Sequence, residues 1–178
     1  PYFFLVEKTS LAGLFDRSNI KLEADDNLGL FSFDVAPEYY VMFKKPFRIH
    51  LSASLSSSLM SPRYLLIHRI KDDGAIAVDA EGKEQDIVRD FIFSHWGGKI
   101  SWVYPYKNKD IRLMKGMRVS DVFEIQKILN HTGYIVDLTG VYDESTVNEV
   151  MKFQEDFGLM ADGIVGLRTR ALFYQMVN

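Results

Sequence analysis

The sequence predicts an α+β protein of two domains, residues 1–106 and 111–178. Three observations support this prediction. A chain of 178 residues is long enough for one large domain or two small ones. Runs of β-branched and aromatic residues dominate from Tyr39 to Tyr104, whereas apolar residues recur with helical spacing from Ile111 onward. The polar stretch 106–110 follows Pro105 and predicts the domain boundary.

The first third of the chain gives the weaker signals. Residues 11–15 fit a short helix, and residues 31–35 fit either a strand or the approach to a helix. Two apolar runs, 39–43 and 47–51, flank Lys44-Lys45-Pro46 and predict two strands separated by a break. Six serines lie between Ser52 and Ser61, and we interpret this run as a surface loop rather than a linker.

A hairpin is the clearest element of the first half. Residues 64–70 and 75–79 are strand-like, and Asp73-Gly74 between them is typical of a tight hairpin turn. Residues 86–95 have near-helical apolar spacing, and Gly97-Gly98 is expected to end that helix. Residues 100–104 predict the last strand of an antiparallel sheet.

The second half predicts a bundle of three short helices. Asp121 and Glu124 have the spacing of a capping box at the start of the first helix. Asp143 is placed to cap the second helix, and residues 167–176 form the third. A core of this size is small but large enough to fold alone.

Composition excludes several classes of function. The net charge of −3 and the pI near 5.8 do not give the basic face of a nucleic-acid-binding domain. The chain has no cysteine, which excludes a thiol nucleophile, a disulfide framework and a cysteine-ligated zinc site. The four histidines lack metal-binding spacing, so no metal and no cofactor are expected. The first residue is Pro1 and no signal peptide is recognisable, so we interpret the chain as a fragment or a processed form.

An internal repeat marks the second half. Gly140-Val141-Tyr142 and Gly163-Ile164-Val165 are each followed by a threonine, six positions after the glycine. A helix that carries a glutamine precedes each loop, and a glycine with a bulky residue ends each helix, as in Gly133-Tyr134 and Gly158-Leu159. Glycine permits the positive φ angles of tight turns. The two loops are therefore expected to face each other across a shallow groove.

These residues resemble the peptidoglycan-binding-like domain, a three-helix module with two pseudo-repeats that occurs on bacterial wall enzymes. The most specific part is the run 162–166, Asp-Gly-Ile-Val-Gly, with Thr169 after it. The first repeat departs from the family pattern, because Thr139 stands where Asp is preferred and Asp143 where Gly is preferred. The resemblance covers residues 114–177 and implies a wall-binding module.

The first half resembles a papain-like cysteine peptidase of the bacteriocin-processing type. The resemblance rests on residues 62–67, on Ala77-Val78-Asp79 and on the segment from Trp96 to Trp102. It places Asp79 at the orienting aspartate and Arg63-Tyr64 where the catalytic histidine would fall, and the cysteine is missing. This implies a degenerate peptidase fold without catalytic residues.

The domain order is similar to the periplasmic segment of the general secretion pathway protein A family, membrane ATPases linked to type II secretion. That similarity implies a non-enzymatic periplasmic segment that anchors such an ATPase to the cell wall and aids secretin assembly. The expected partners are peptidoglycan and a secretin or another secretion-pathway protein, with no nucleic acid and no membrane contact within this chain. Two alternatives remain open: a cell-wall hydrolase that its second domain targets to peptidoglycan, and a protein-interaction module that has lost glycan binding.

Aromatic and charged residues around the two repeat loops are the candidate ligand contacts. Arg168 or Arg170 has the chemistry to pair with a stem-peptide carboxylate. The alternative is that Tyr134 and Tyr142 cover the small core and that both arginines are solvated. The candidate peptidoglycan-binding residues are Tyr134, Asp137, Tyr142, Asp143, Arg168 and Arg170.

Overall fold

The computed structural model describes residues 5–52, 63–107 and 112–177. The chain falls into two compact units, Pro1–Pro105 and Tyr106–Asn178. The interpretation of the serine run as a surface loop concerns residues that, apart from Ser52, lie outside the described part of the chain.

The described elements of the N-terminal unit are strands with a few short helices among them. In chain order they are α1 (Glu7–Ser18), β1 (Asp26–Asp34), a 3₁₀ helix (Pro37–Met42), β2 (Phe47–Leu51), β3 (Tyr64–Lys71), β4 (Gly74–Val78), β5 (Glu84–Val88), α2 (Arg89–His95) and β6 (Trp96–Lys107). The strands form one six-stranded sheet in the order β1-β6-β2-β3-β4-β5. The pairings of β2 with β3 and β6, and of β4 with β3 and β5, are antiparallel.

The core of this unit lies on the sheet. Leu14 of α1 packs against Leu66 and Val78 of the sheet. Large aromatic side chains fill the remaining space, with Trp102 stacked on Phe33 at a centroid distance of 4.6 Å. Burial of such side chains contributes roughly 1.5–3 kcal/mol each to folding, and this holds the sheet together.

The C-terminal unit is a three-helix bundle. Its helices are α3 (Ser120–His131), α4 (Glu144–Asp156) and α5 (Leu167–Met176). Phe153 of α4 lies at the centre, with ring centroids 4.6 Å from Phe173 and 4.9 Å from Phe157. The predicted α+β class, the antiparallel sheet and the helical second half are confirmed. The assignment of residues 1–106 and 111–178 to separate domains stays a prediction.

Several elements differ from the sequence predictions. The run 39–43 is predicted as a strand, but residues 37–42 form a 3₁₀ helix. The helix predicted over 86–95 begins at Arg89, because residues 84–88 pair with β4 as an edge strand. The capping box at Asp121 is wrong: α3 begins at Ser120, and the Asp121 carboxylate accepts a hydrogen bond from Arg170 Nη2 at 3.1 Å. The predicted hairpin is present, but its turn is one residue earlier than Asp73-Gly74: Lys71 pairs with Gly74, so Asp72-Asp73 form the turn and Gly74 begins β4.

Candidate functional site

The first repeat loop is held by the buried amide of Gln126 on α3. Its Nε2 lies 3.0 Å from the Val141 carbonyl oxygen and 3.0 Å from Thr146 Oγ1. Its Oε1 accepts a hydrogen bond from the Gly140 N–H at 2.9 Å. One side chain thus satisfies backbone groups that the loop would otherwise bury without partners.

The second loop is built in the same way around Gln154 on α4. Its Nε2 lies 3.0 Å from the Ile164 carbonyl oxygen and 3.2 Å from Thr169 Oγ1, and its Oε1 accepts from the Gly163 N–H at 2.9 Å. Gly140 and Gly163 have φ angles of +68° and +67°, a conformation that favours glycine. The internal repeat of the sequence is therefore also a repeat of structure. In each copy, one glutamine side chain makes the same set of hydrogen bonds to the loop.

A segment that precedes α3 contacts both loops. The backbone of Leu113 exchanges hydrogen bonds with Val165, at 3.2 and 2.9 Å. The Gly116 N–H donates to the Tyr142 carbonyl, and the Tyr142 N–H donates to Met117. Tyr142 and Val165 hold equivalent places in the two repeats, so this segment ties the loops into one body.

A groove of about 480 Å³ opens beside the second loop. The loop residues 158–162 form one wall, and the start of α5, Gly166 to Thr169, forms another. Met160 is 80% exposed on the apolar side of the groove. Arg112 and Arg168 supply positive charge. The lining also includes Asp162, whose Oδ1 accepts hydrogen bonds from Gln154 Nε2 and the Ile164 N–H at 3.0 and 2.9 Å. The groove therefore combines apolar surface with two guanidinium groups and one hydrogen-bonded carboxylate.

The helix start that follows the first loop carries acidic residues that the second repeat lacks there. That loop runs into α4 through Asp143-Glu144-Ser145, where the second loop has Gly166-Leu167-Arg168. Asp143 Oδ1 accepts hydrogen bonds from Thr146 N at 2.9 Å and Thr146 Oγ1 at 2.8 Å. These bonds lower the pKa of the Asp143 carboxyl group. The start of α5 has no side-chain cap, so in the second repeat no carboxylate takes the place of Asp143.

Residues 118–173 match the family described as "Putative peptidoglycan binding domain". The matched stretch includes both glutamine-held loops and most of the three helices. This part of the chain is a domain of that family.

Solved structures extend the comparison to the rest of the chain. The chain matches a periplasmic domain of the EpsAB fusion protein of the Vibrio vulnificus type II secretion system, with 14% identity and a TM-score of 0.52 over 99% of this chain and 82% of that chain. At this identity the match shows a shared fold.

Two further matches have lower TM-scores. The SleB N-terminal domain is 31% identical over 37% of this chain and 92% of that chain, with a TM-score of 0.36. A Clostridioides difficile peptidoglycan-binding protein in complex with glutamine hydroxamate is 18% identical over 72% of this chain and 92% of that chain, with a TM-score of 0.35.

The structure places the two candidate tyrosines of the family domain in its interior. Tyr142 is 0% exposed, and its hydroxyl donates to the Gly163 carbonyl at 2.9 Å. Burial raises the pKa of this phenol. Tyr134 is nearly buried, and its hydroxyl donates to Asp156 Oδ2 at 2.5 Å. Tyr142 is thus a core residue rather than part of a binding surface, which corrects its selection as a ligand contact, and Tyr134 mainly covers the core.

The other four candidates lie on different parts of the family domain. Arg168 is exposed and lines the groove. Arg170 points to Asp121, and Asp143 caps α4, so both have structural roles. Asp137 is exposed in the first loop. Arg168 lines the groove, whereas the other five candidates are not among its lining residues.

Sequence reasoning missed the apolar contacts of the groove. Met160 and its equivalent in the first repeat, Ile135, are 80% and 82% exposed. Each follows the bulky residue that ends the preceding helix, so an alignment of the repeats against each other singles them out. No sequence pattern singles out Arg112, because it lies before the repeats. It lines the groove because the neighbouring Leu113 pairs with Val165.

In the N-terminal unit, Asp79 has a structural role. Its Oδ1 accepts hydrogen bonds from the N–H groups of Glu81 and Lys83, at 3.1 and 2.8 Å, and its Oδ2 accepts from Gln85 Nε2 at 3.1 Å. This carboxylate therefore closes the turn between β4 and β5. It orients no histidine among the described residues, although the peptidase resemblance places it at the orienting position.

A buried polar cluster lies between α1 and the sheet. The Arg48 guanidinium donates to Ser101 Oγ, Ser10 Oγ and Glu7 Oε1 at 2.8–2.9 Å. Arg48 is 2% exposed, and its guanidinium carbon lies 4.2 Å from the centre of the Tyr64 ring. This cluster fixes α1 on the sheet.

Residues 5–52, 63–107 and 112–177 contain neither a candidate metal site nor a candidate membrane-spanning helix. In these ranges no three acidic, histidine or cysteine side chains come close enough together to hold a metal ion. No helix in them is both long and apolar enough to cross a bilayer.

Proposed function

We propose that this chain is a non-catalytic, exported peptidoglycan-binding segment, and that the groove beside the second loop takes the ligand. The observation that carries the proposal is that the groove-lining residues, apart from Arg112, lie within the stretch that matches the family. Its volume of about 480 Å³ lies in the usual range of small-ligand sites.

The lining of the groove suits a muramyl peptide. Peptide stems present carboxylates and amides, and glycan strands present apolar sugar faces. Arg112 and Arg168 offer charge-assisted hydrogen bonds to a carboxylate. Met160 and Leu167 offer apolar contact beside them. The acidic start of α4 in the first repeat would repel the same ligand, so we assign binding to the second repeat.

The absence of catalysis is part of the proposal. The sequence has no cysteine to act as a papain-like nucleophile. Asp79 is occupied in a turn. We therefore expect no release of soluble muropeptides from purified sacculi.

The cellular role proposed here extends this binding. The shared fold with the Vibrio vulnificus periplasmic domain supports a place in the periplasm. In that setting the segment would anchor a secretion-associated membrane ATPase to the wall and aid secretin assembly, with a secretin or another secretion-pathway protein as a second partner.

The test is co-sedimentation of the full chain with insoluble sacculi. Arg168→Gln removes a groove charge, and Gly166→Asp places a carboxylate at the position that Asp143 holds in the first repeat. At position 166 the backbone is extended, and an added Cβ meets no atom within 4 Å, so the second variant is expected to fold. Arg118→Gln is the matched control, because Arg118 is exposed and outside the groove-lining residues.

We expect both groove variants to lose most of the sedimented fraction while Arg118→Gln keeps it. Equal sedimentation of all four proteins would contradict the groove assignment. A wild-type chain that stays in the supernatant would contradict peptidoglycan binding and favour the protein-interaction alternative, and clearing of the sacculi would favour the hydrolase.

A further inference from the structure

The N-terminal unit contains a cavity of about 460 Å³ that the proposed function does not use. It lies where the end of the 3₁₀ helix, the end of β3 and the start of α2 meet. Positively charged side chains come from each of these places: Lys44 follows the 3₁₀ helix, Arg69 and Lys71 lie on β3, and Arg89 begins α2. The fold thus collects four cations around one cavity.

Most of this positive charge has no counter-charge. Lys44 and Arg69 are exposed, and their side chains make no hydrogen bond or ion pair with any described residue. Arg89 Nη2 donates to the backbone carbonyl of Asp72 at 2.6 Å, which positions the guanidinium without neutralising it. Lys71 is paired, because its Nζ lies 2.5 Å from Asp86 Oδ1. Three of the four charges therefore remain available to a ligand.

The same cavity has an apolar wall. Val41 is 42% exposed there, beside the more buried side chains of Phe43 and Ile70. An exposed aliphatic side chain next to unpaired guanidinium groups is suited to a ligand that carries a carboxylate and an apolar group close together. A short peptide with acidic and aliphatic side chains has this chemistry.

The surroundings disfavour an extended polyanion. Asp72 lines the cavity, Asp73 follows it in the turn after β3, and Glu38 and Asp90 lie on the 3₁₀ helix and on α2. Residues 1–105 carry 12 Lys and Arg against 14 Asp and Glu. An anionic bilayer or a nucleic acid would bring many negative charges against these carboxylates. A single acidic side chain faces one carboxylate of the lining, Asp72, against the four cations.

We propose that this cavity is a docking site for an acidic peptide segment of a partner protein. A carboxylate of the segment pairs with Arg69 and Arg89, Lys44 adds a third positive charge, and a neighbouring aliphatic side chain packs against Val41. The proposal is independent of peptidoglycan binding, since all of these residues belong to the N-terminal unit.

The experiment measures binding of a fluorescein-labelled, terminally blocked peptide of alternating glutamate and leucine to the full chain, by fluorescence anisotropy at low and high NaCl. The variants are Lys44→Gln combined with Arg69→Gln, and Arg89→Gln alone. The matched control is Lys8→Gln combined with Lys83→Gln, which removes two exposed cations from outside the cavity lining. The melting temperature of each variant shows whether it is folded.

We expect the double variant Lys44→Gln/Arg69→Gln to weaken binding by about tenfold or more, as for the loss of a charge-assisted hydrogen bond. Arg89→Gln should have a similar effect, whereas the control should not. Binding should weaken with salt, and a glutamine-leucine peptide should not bind.

Three results would overturn the proposal: no binding to the wild type, an equal loss in the control variant, or equal binding of the glutamine-leucine peptide. Binding of phosphatidylglycerol vesicles or polyphosphate in place of the acidic peptide would also overturn it, because the anion would then belong to another class.

Discussion

His50 illustrates how a single residue is set by its neighbours. Its Nε2 lies 3.0 Å from Ser101 Oγ, which already accepts a hydrogen bond from Arg48 Nε. The Ser101 hydroxyl can therefore donate to His50 only while the imidazole is neutral. Burial, and then the positive charge of Arg48, lower the pKa of His50 to about 4.

This arrangement predicts a loss of stability with acid. In the unfolded chain His50 takes up a proton near pH 6.5, whereas in the folded chain it stays neutral until about pH 4. Protonation then favours unfolding, and stability falls as the pH drops through this window. We expect a loss of about 1 kcal/mol between pH 7 and pH 5, after discounting the shift for the partial exposure of the ring.

The measurement is urea unfolding followed by tryptophan fluorescence, since Trp96 and Trp102 both belong to the N-terminal unit. In His50→Gln the difference between the two pH values should largely disappear. An unchanged pH dependence in this variant would mean that other groups cause it.

The paired glycines give a second prediction at the residue scale. Alanine at either position costs about 1 kcal/mol, because the φ angle is positive. At Gly163 an added Cβ would also lie 2.8 Å from Val147 Cγ1, whereas at Gly140 it meets no atom within 4 Å. Gly163→Ala should therefore be the more destabilising of the two in thermal unfolding followed at 222 nm. Equal melting temperatures would contradict this reading of the second loop.

At the scale of elements, the two loop-to-helix junctions have diverged. Asp143 caps α4 with two hydrogen bonds to Thr146, whereas α5 begins after Gly166 without a side-chain cap. The same position thus stabilises a helix in one repeat and opens a groove in the other.

Asp143→Ala should cost about 1–2 kcal/mol, the usual effect of removing an N-cap. Asp137→Ala is the control, because Asp137 is exposed in the same loop and its side chain makes no hydrogen bond or ion pair with a described residue. Chemical unfolding followed by circular dichroism measures both. If the two variants are equally stable, the Asp143 cap does not contribute measurably to the free energy of unfolding.

The 3₁₀ helix shows why one strand prediction failed. The apolar run 39–43 suits a strand by composition, but Tyr40 and Phe43 are three residues apart and both are buried. A 3₁₀ turn brings residues at this spacing to one side. There Tyr40 meets Phe93 edge-on and Phe43 meets Phe47, at centroid distances of 5.7 and 5.2 Å. Tertiary contacts decided between two backbone forms that the run permits.

At the scale of the whole molecule, the two compact units predict independent unfolding. A destabilising change in the helical unit, Gly163→Ala, should move the transition seen at 222 nm and leave the tryptophan transition in place, because both tryptophans lie in the other unit. The measurement is urea unfolding of the full chain with both probes. A matching shift in the tryptophan signal would show that the units unfold together.

Local chemistry alone determined much of this protein. The hairpin of β3 and β4, the cap at Asp143, the helix over 167–176 and the repeat of glycines all depend on neighbours close in sequence. Their physics, turn geometry and capping, is short-ranged, so the amino-acid order is enough to predict them. The candidate Arg168 also followed from the repeat.

Other features depended on distant residues. The pairing of β5 with β4, the 3₁₀ helix, the burial of Tyr142 and the reach of Arg112 to the groove depend on contacts between segments far apart in the chain. An aromatic side chain near a loop serves equally well as a core residue or as a ligand contact, and its chemistry does not tell which. Only the packing of the whole unit decides which side chains water can reach, because burial depends on every segment that lies against them.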